Sequence, residues 1–410
     1  MTTTAQKIPS GYKQTDIGVV PADWDIKRIE ELTPQGKKYG IVDGPFGSNL
    51  KTEHYRKSGI PIITSGYVTD GHFSADEYLY VDKEKFKQEK RSAVKGGDIV
   101  MAKIGARCGA SAILPKNHAE GILSGNALKI SIDENRFSTF FVWQILWNLY
   151  SRGDLESIRS TGAQPALSMA NLKKYQIAIP TVKAQQEDIA TALSDADELI
   201  DKLKFLIAKK RNIKRGAMQE LLSGKCRLPG FSEKWETKKL GDLLDYEQPT
   251  PYLVKNTDYS DSHSIPVLTA GKTFILGYTA EETGVFQNLP TIIFDDFTTA
   301  MKYVDFPFKA KSSAMKMLVP KNKDVNLKFV FAKMQLIDFK LGDHKRYWIS
   351  EYQNIEIATP KPDEQTAIAS TLSDMDTEIE KLESQLTKYQ DIKQGMMQSL
   401  LTGKIRLLAK

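Results

Sequence analysis

Apolar residues in this chain recur in two different rhythms. From about Ala184 the sequence runs nearly forty residues without proline, and Ile189, Leu193, Ala196, Ile200, Leu203 and Ile207 follow a four-three-four-three spacing. Ile368, Leu372, Met375, Ile379, Leu382, Leu386 and Tyr389 repeat it. A mean spacing of 3.5 is the seam of a coiled coil, narrower than the stripe of a surface helix. At 1.5 Å per residue each helix would reach about 60 Å. Elsewhere the pattern is short and β-rich. IPIITSG, GDIVMAKIG and LKISI early in the chain, and IPVLTAG, TIIFDDF and MKMLV later, are punctuated by Gly, Pro and Asn. One amphipathic helix is expected near 137–150 and another near 326–338. Each rhythm therefore occurs twice, as a mixed α and β module followed by a long helix.

The two halves are copies in order. Residues 213–228, IKRGAMQELLSGKCRL, return as IKQGMMQSLLTGKIRL at 392–407, 179 positions on. Trp24 and Trp235 are 211 apart, IPIITSG and IPVLTAG 205, ALKI and AMKM 187, Phe141-Val142 and Phe329-Val330 188, and LSDAD and LSDMD 179. The nearly steady fall means that the second copy has lost about 32 loop residues while keeping its framework. A period this long marks whole modules, not solenoid units. The expected fold is α+β: two similar target-binding modules separated by an antiparallel coiled coil, with pseudo-two-fold symmetry. The expected boundaries are 1–180 for the first module with its N-terminal arm, 181–228 for the first helix, 229–358 for the second module and 359–410 for the second helix.

Composition narrows the chemistry. The 410 residues are 41% hydrophobic and 26% charged with a net charge of +6, an ordinary soluble composition with a mild basic tilt that permits nucleic-acid binding. Cys108 and Cys226 are too far apart in sequence to suggest a disulfide framework or zinc cluster, which fits a reducing cytoplasm. The greasiest stretch, FFVWQILWNLY at 140–150, is too short to span a bilayer. Catalytic motifs fail one by one. SGKC and TGKI lack the hydroxyl of a P-loop, GKT at 271–273 has Pro266 where its first glycine belongs, and GPFGSN and KIGARCG are weak as dinucleotide turns. The Asn/Asp-Pro-Pro-aromatic tetrapeptide of amino-group methyltransferases is absent. Pro362-Asp363 with Asp391 and Lys393 imitates a nuclease site only if a helix bearing the coiled-coil seam supplied half of it. The five histidines form no zinc pair, and the Asp195/Asp197 and Asp374/Asp376 pairs diverge around their helices. What remains is binding, with two frameworks whose loops differ reading two stretches of a linear polymer such as duplex DNA. A coiled-coil protein-binding scaffold without DNA contact is the alternative.

GYKQTDIGVVPADW, GPFGSNL with SGIPIITSG, GDIVMAKIGARCGA, TGAQPALSMANLKKYQIAIP and both LSDxD…IKxGxMQxLLxGKxRL helices closely resemble type I restriction-modification specificity subunits over essentially the whole chain. The resemblance implies a non-catalytic subunit of a host-defence enzyme that reads a bipartite, asymmetric target in double-stranded DNA. It further implies docking of two adenine methyltransferase subunits and of restriction-translocase subunits, with AdoMet, ATP and Mg2+ on those partners and no cofactor or metal in this chain. Adenine would be flipped from the stack into the partner.

Base readout calls for Arg or Lys at guanine, Asn or Gln at adenine, and basic or hydroxyl groups at phosphate. The candidates in irregular segments are Lys37, Lys38, Lys103, Arg107, Arg159 and Gln164 in the first module. Those of the second are Thr298, Lys302, Lys309, Lys311, Lys345 and Arg346, with Tyr347 as a stacking or packing neighbour. The echoed tails Met218, Leu221 and Leu222, and Met397, Leu400 and Leu401, are expected either to offer one surface twice to the same partner or to close each helix against a module. Gly224 and Gly403 are expected to end the helices.

Overall fold

A computed structural model describes residues 8–36, 38–160, 162–271, 273–340 and 346–407. Contacts divide the chain into two compact units, Met1–Lys202 with Leu386–Lys410, and Leu203–Gln385.

In the first unit, β1 (Trp24–Arg28), β2 (Ile41–Asp43), β3 (Ile60–Ile63), β4 (Tyr80–Val81), β5 (Ala93–Val94), β6 (Ile99–Ala102), β7 (Ser111–Ile113), β8 (Gly121–Leu123) and β9 (Ala127–Ile130) precede the helix α1 (Thr139–Ser151) and β10 (Gln176–Pro180). Four strands form an antiparallel sheet in the order β7-β6-β9-β2, with Met101 opposite Leu128. A second sheet runs β4-β3-β8-β5, in which β3 and β8 are parallel. β1 pairs antiparallel with β10, placing Trp24 opposite Pro180. The long helix α2 (Lys183–Ser223) follows.

The second unit rebuilds this plan from β11 (Glu236–Lys239), β12 (Leu244–Glu247), β13 (Ile265–Leu268), β14 (Ile275–Thr279), β15 (Thr291–Asp295), β16 (Met301–Val304), β17 (Lys309–Ala310), β18 (Met315–Pro320), α3 (Leu327–Met334) and β19 (Glu356–Thr359). Its larger sheet runs β16-β15-β18-β12, its smaller β14-β13-β17 with β13 and β17 parallel, and β11 pairs with β19. The second long helix, α4, covers Pro362–Leu400. The sequence echoes mark equivalent places. Trp24 meets Phe141 edge-on at 6.4 Å, and Trp235 meets Phe329 at 6.2 Å. ALKI and AMKM are the central strands β9 and β18, which explains their apolar positions, but each also buries its lysine. Lys129 lies 3.5 Å from Asp98, which also accepts from Ser131 at 2.6 Å. Lys316 lies 3.6 Å from Asp296 and donates to Gln248 at 3.0 Å. Buried charge is tolerated because it is paired and hydrogen-bonded.

One echo went unread in the sequence. Gln186, in the first turn of α2, accepts the Ser138 amide at 2.8 Å and donates to the Pro180 carbonyl at 2.9 Å. Gln365 does the same in α4, with the Asn326 amide and Pro360 carbonyl both at 2.9 Å. Ser138 and Asn326 are themselves the N-caps of α1 and α3. Each glutamine thus ties the start of a long helix to the start of a module helix and to the strand before it.

Along the long helices, Ile189, Leu193, Ile200, Leu203, Ile207, Ile368, Leu372 and Ile379 are buried, Ala196, Met375, Leu382 and Leu386 half-buried, and Tyr389 exposed. In the second unit, Lys210 pairs with Glu378 and Arg211 with Glu383, each at 2.6 Å, and Lys214 with Asp376. Numbers rise on α2 as they fall on α4 between the first and last of these pairs, so the segments run antiparallel there. In the first unit Lys393 of α4 pairs with Asp197 of α2.

The helix tails resolve the two readings of their echo. Leu221 and Leu222 are buried in the second unit's core with Met218 packed against it, and Met397, Leu400 and Leu401 are buried in the first unit's core. Five of the six are buried and Met218 is half-buried, so of the two readings the structure supports core closure, and the five buried side chains are corrected from a partner surface. Gly224 and Gly403 adopt φ of 74° and 70°. The Gly224 amide reaches Leu221 O and the Gly403 amide Leu400 O, both at 3.2 Å, the inner bond of a Schellman-type stop.

Candidate nucleic-acid interface

Equivalent hairpins carry candidates in both units. In the first, β6 and β7 are joined by a tip at 103–110 that is closed by the Ala102 amide on Ala110 O and the Gly109 amide on Ala102 O, both 2.8 Å. Cys108, wholly buried, points its thiol at Lys103 O at 3.0 Å, and burial pushes that thiol's pKa up. Residues 159–160 and 162–167 lean on the same tip: the Gly105 amide donates to Pro165 O at 3.0 Å and the Leu167 amide to Lys103 O at 2.9 Å. Lys103, Arg107, Arg159 and Gln164, scattered over 62 positions, are thereby brought to one place.

Only some of them are free to meet a ligand. Arg107 and Gln164 are exposed. Lys103 is held by Asp43 at 2.6 Å with its ammonium 4.1 Å from the centre of the Phe46 ring, and its side chain is 12% exposed. Arg159 is 15% exposed, between Glu156 and the Tyr150 ring, with its Nε buried and unpartnered. Lys38 is exposed in another cleft, lined also by Glu30, Glu31 and Arg136. Lys37 lies outside the described residues.

In the second unit β15 and β16 meet at 296–300. Asp295 Oδ1 accepts the Phe297 and Thr298 amides at 2.9 and 2.8 Å, and Thr299 sits at φ 55°, so a side chain and not a glycine shapes this turn. Thr298 is exposed at the tip and Lys302 on β16. The segment after 345 anchors here, the Tyr347 amide on Asp296 O at 3.0 Å and the Trp348 amide on Asp296 Oδ1 at 2.9 Å, which sets exposed Arg346 beside the tip. Tyr347 is buried against Phe339 and is a packing residue. Lys311 is exposed just after β17. Lys309 is corrected: it is 1% exposed and donates to Thr283 O at 2.7 Å and Glu281 at 2.8 Å, so no ammonium is left for a phosphate. That contact, with the Lys255 and Asn256 amides, holds the Glu281 pKa down to about 2. Lys345 lies outside the described residues.

Among the described residues no cluster of His, Cys, Asp or Glu could hold a metal, and no helix is long and apolar enough to cross a membrane. The tips thus offer cations, amides and hydroxyls in separate sets, Arg107 and Gln164 in one unit and Thr298, Lys302 and Arg346 in the other, which suits hydrogen bonding to base edges and phosphates.

Comparison with known proteins gives these hairpins a context. The model of the type I restriction modification DNA specificity domain matches residues 21–209 and again 232–388. A stretch of 142 residues is 55% identical to the EcoR124I/EcoR124II type I restriction enzyme specificity subunit of Escherichia coli, spanning 33% of this chain and 34% of that one. The putative MjaX specificity subunit of Methanocaldococcus jannaschii is 24% identical over 97% of both chains. The S subunit structure from M. genitalium superposes with a TM-score of 0.61 at 15% identity, covering 96% of this chain and 98% of that one, a likeness of fold. With both of its copies matched, this chain belongs to the type I restriction-modification DNA specificity family.

Proposed function

We propose that this chain is the sequence-reading, non-catalytic subunit of a type I restriction-modification enzyme, each unit reading one half of a bipartite target in duplex DNA. The observation that carries the reading is the pairing of one strand plan with two different hairpin tips. A common plan gives each unit a tip on an equivalent hairpin. Different tip residues make the half-sites different, so the whole target is asymmetric. Arg107 and Gln164 are the base-reading candidates of the first unit, and Thr298, Lys302 and Arg346 those of the second, with Lys38 and Lys311 as peripheral phosphate contacts. Lys103 and Arg159 act as braces.

The antiparallel ion pairs in the second unit and the Asp197–Lys393 pair in the first support α2 and α4 as an antiparallel coiled-coil spacer that sets the gap between half-sites. The reading extends to assembly with two methyltransferase and further restriction-translocase subunits, which would carry AdoMet, ATP and Mg2+, and the family match supports it as far as a place in a type I restriction-modification system. The test is binding of target DNA by this chain together with its methyltransferase at rising salt. Released counterions make the expected loss steep, at least tenfold between about 50 and 200 mM salt. Indifference to DNA at every salt concentration favours the protein scaffold instead, and methyl transfer by the chain alone would make it an enzyme.

A further inference from the structure

We infer that Phe46 is an aromatic wedge that stacks on a base step of the first half-site, an inference that rests on the DNA-reading function proposed above. Phe46 is 45% exposed, a large apolar ring left in water. Its loop is held in place on every side. A side chain at Gly44 would come within 2.0 Å of the Ser124 carbonyl, and one at Gly125 within 2.9 Å of the Pro45 carbonyl, so both glycines let backbones touch beneath the ring. The Gly44 amide donates to Ala127 O at 3.1 Å and the Asn49 amide to Phe46 O at 3.2 Å.

The ring is also braced against the reading hairpin. Lys103, first residue of that tip, holds its ammonium 4.1 Å from the ring centre and is itself fixed by Asp43 at 2.6 Å. A cation clamped by a carboxylate is a poor phosphate ligand but a good support for an aromatic ring. An exposed phenyl braced by the first residue of the reading hairpin leaves apolar surface in water, a loss that its contact with Lys103 offsets only in part. Stacking on a base recovers that loss, at little conformational cost. The second unit offers Phe297, 47% exposed at its own tip with its amide fixed by Asp295, as the matching ring for the other half-site.

The experiment uses the chain assembled with its methyltransferase on a duplex bearing the target, with 2-aminopurine replacing adenines of the first half-site one at a time. Wild-type protein should brighten one position besides the adenine that the methyltransferase flips. Phe46→Ala should lose that signal and weaken binding about tenfold, while Phe297→Ala leaves the first half-site signal intact. Phe46→Leu keeps apolar bulk without a π face, so a folded Phe46→Leu complex that stays dim supports stacking. Wild-type brightness and affinity in Phe46→Ala or in folded Phe46→Leu would overturn it, as would a loss of methyltransferase retention with the signal unchanged. A wild-type complex that selects no DNA sequence at all would instead remove the parent reading.

Discussion

Single buried polar side chains do more here than surface charges. Gln186 and Gln365 each satisfy two backbone groups deep in a unit. Gln186→Ala strands the Ser138 amide and the Pro180 carbonyl and should cost about 2 kcal/mol in a chemical melt. Arg406→Ala removes an ion pair with Asp23 whose partners are 37% and 49% exposed, and should cost under about 1 kcal/mol. A larger loss in Arg406→Ala than in Gln186→Ala would reverse this ranking. Glu281 gives a pH test. Its folded pKa is depressed to about 2 from 4.5, so its stabilising contribution is full above about 4.5 and lost as pH falls towards 2. Glu281→Gln should flatten the stability profile in that window, and an unchanged acid limb would place the sensitivity elsewhere. At this scale the sequence was a partial guide. It singled out Lys309 as a loop cation because pattern alone does not tell a strand-end lysine facing a carboxylate from one facing solvent, and it passed over Gln186 and Gln365 because a polar residue in a first helical turn looks like ordinary surface.

The elements were far more legible. IPIITSG, ALKI and their counterparts fall on equivalent strands, and Trp24 and Trp235 at the start of equivalent ones, because a core needs the same apolar positions at the same register wherever it is rebuilt. The four-three-four-three seam fell on two long helices for the same reason. The helix tails were legible as a repeat but not in purpose, since an apolar tail looks the same whether it meets another protein or its own core. Leu222, wholly buried, decides between those uses. Leu222→Ala should destabilise the chain by about 2–5 kcal/mol. Methyltransferase binding should survive at temperatures where the variant is folded, whereas lost binding with undiminished stability would restore the tail as a docking surface. Adding four residues to both helices, near Leu203 and Leu382, should lengthen the gap between half-sites and leave their bases alone, as read by mapping modified adenines. A change in the half-site bases would contradict a spacer role.

In the whole molecule, two units built alike divide the labour of reading under the proposed function. Lys302→Ala with Thr298→Ala should relax selection at the second unit's half-site and leave the first unchanged, and equal damage to both would contradict that division. Which tip residues meet bases was the least legible part of the sequence. The cluster at 103–110 forms only when a segment more than fifty residues later folds back on it, and no local pattern announces that contact. The most direct measurement is to express the chain with its methyltransferase and map methylated adenines across a host genome. Two different readers should give one asymmetric motif of two half-sites separated by a fixed run of unspecified bases; a continuous or palindromic motif, or methylation without sequence preference, would contradict the division of reading between the units.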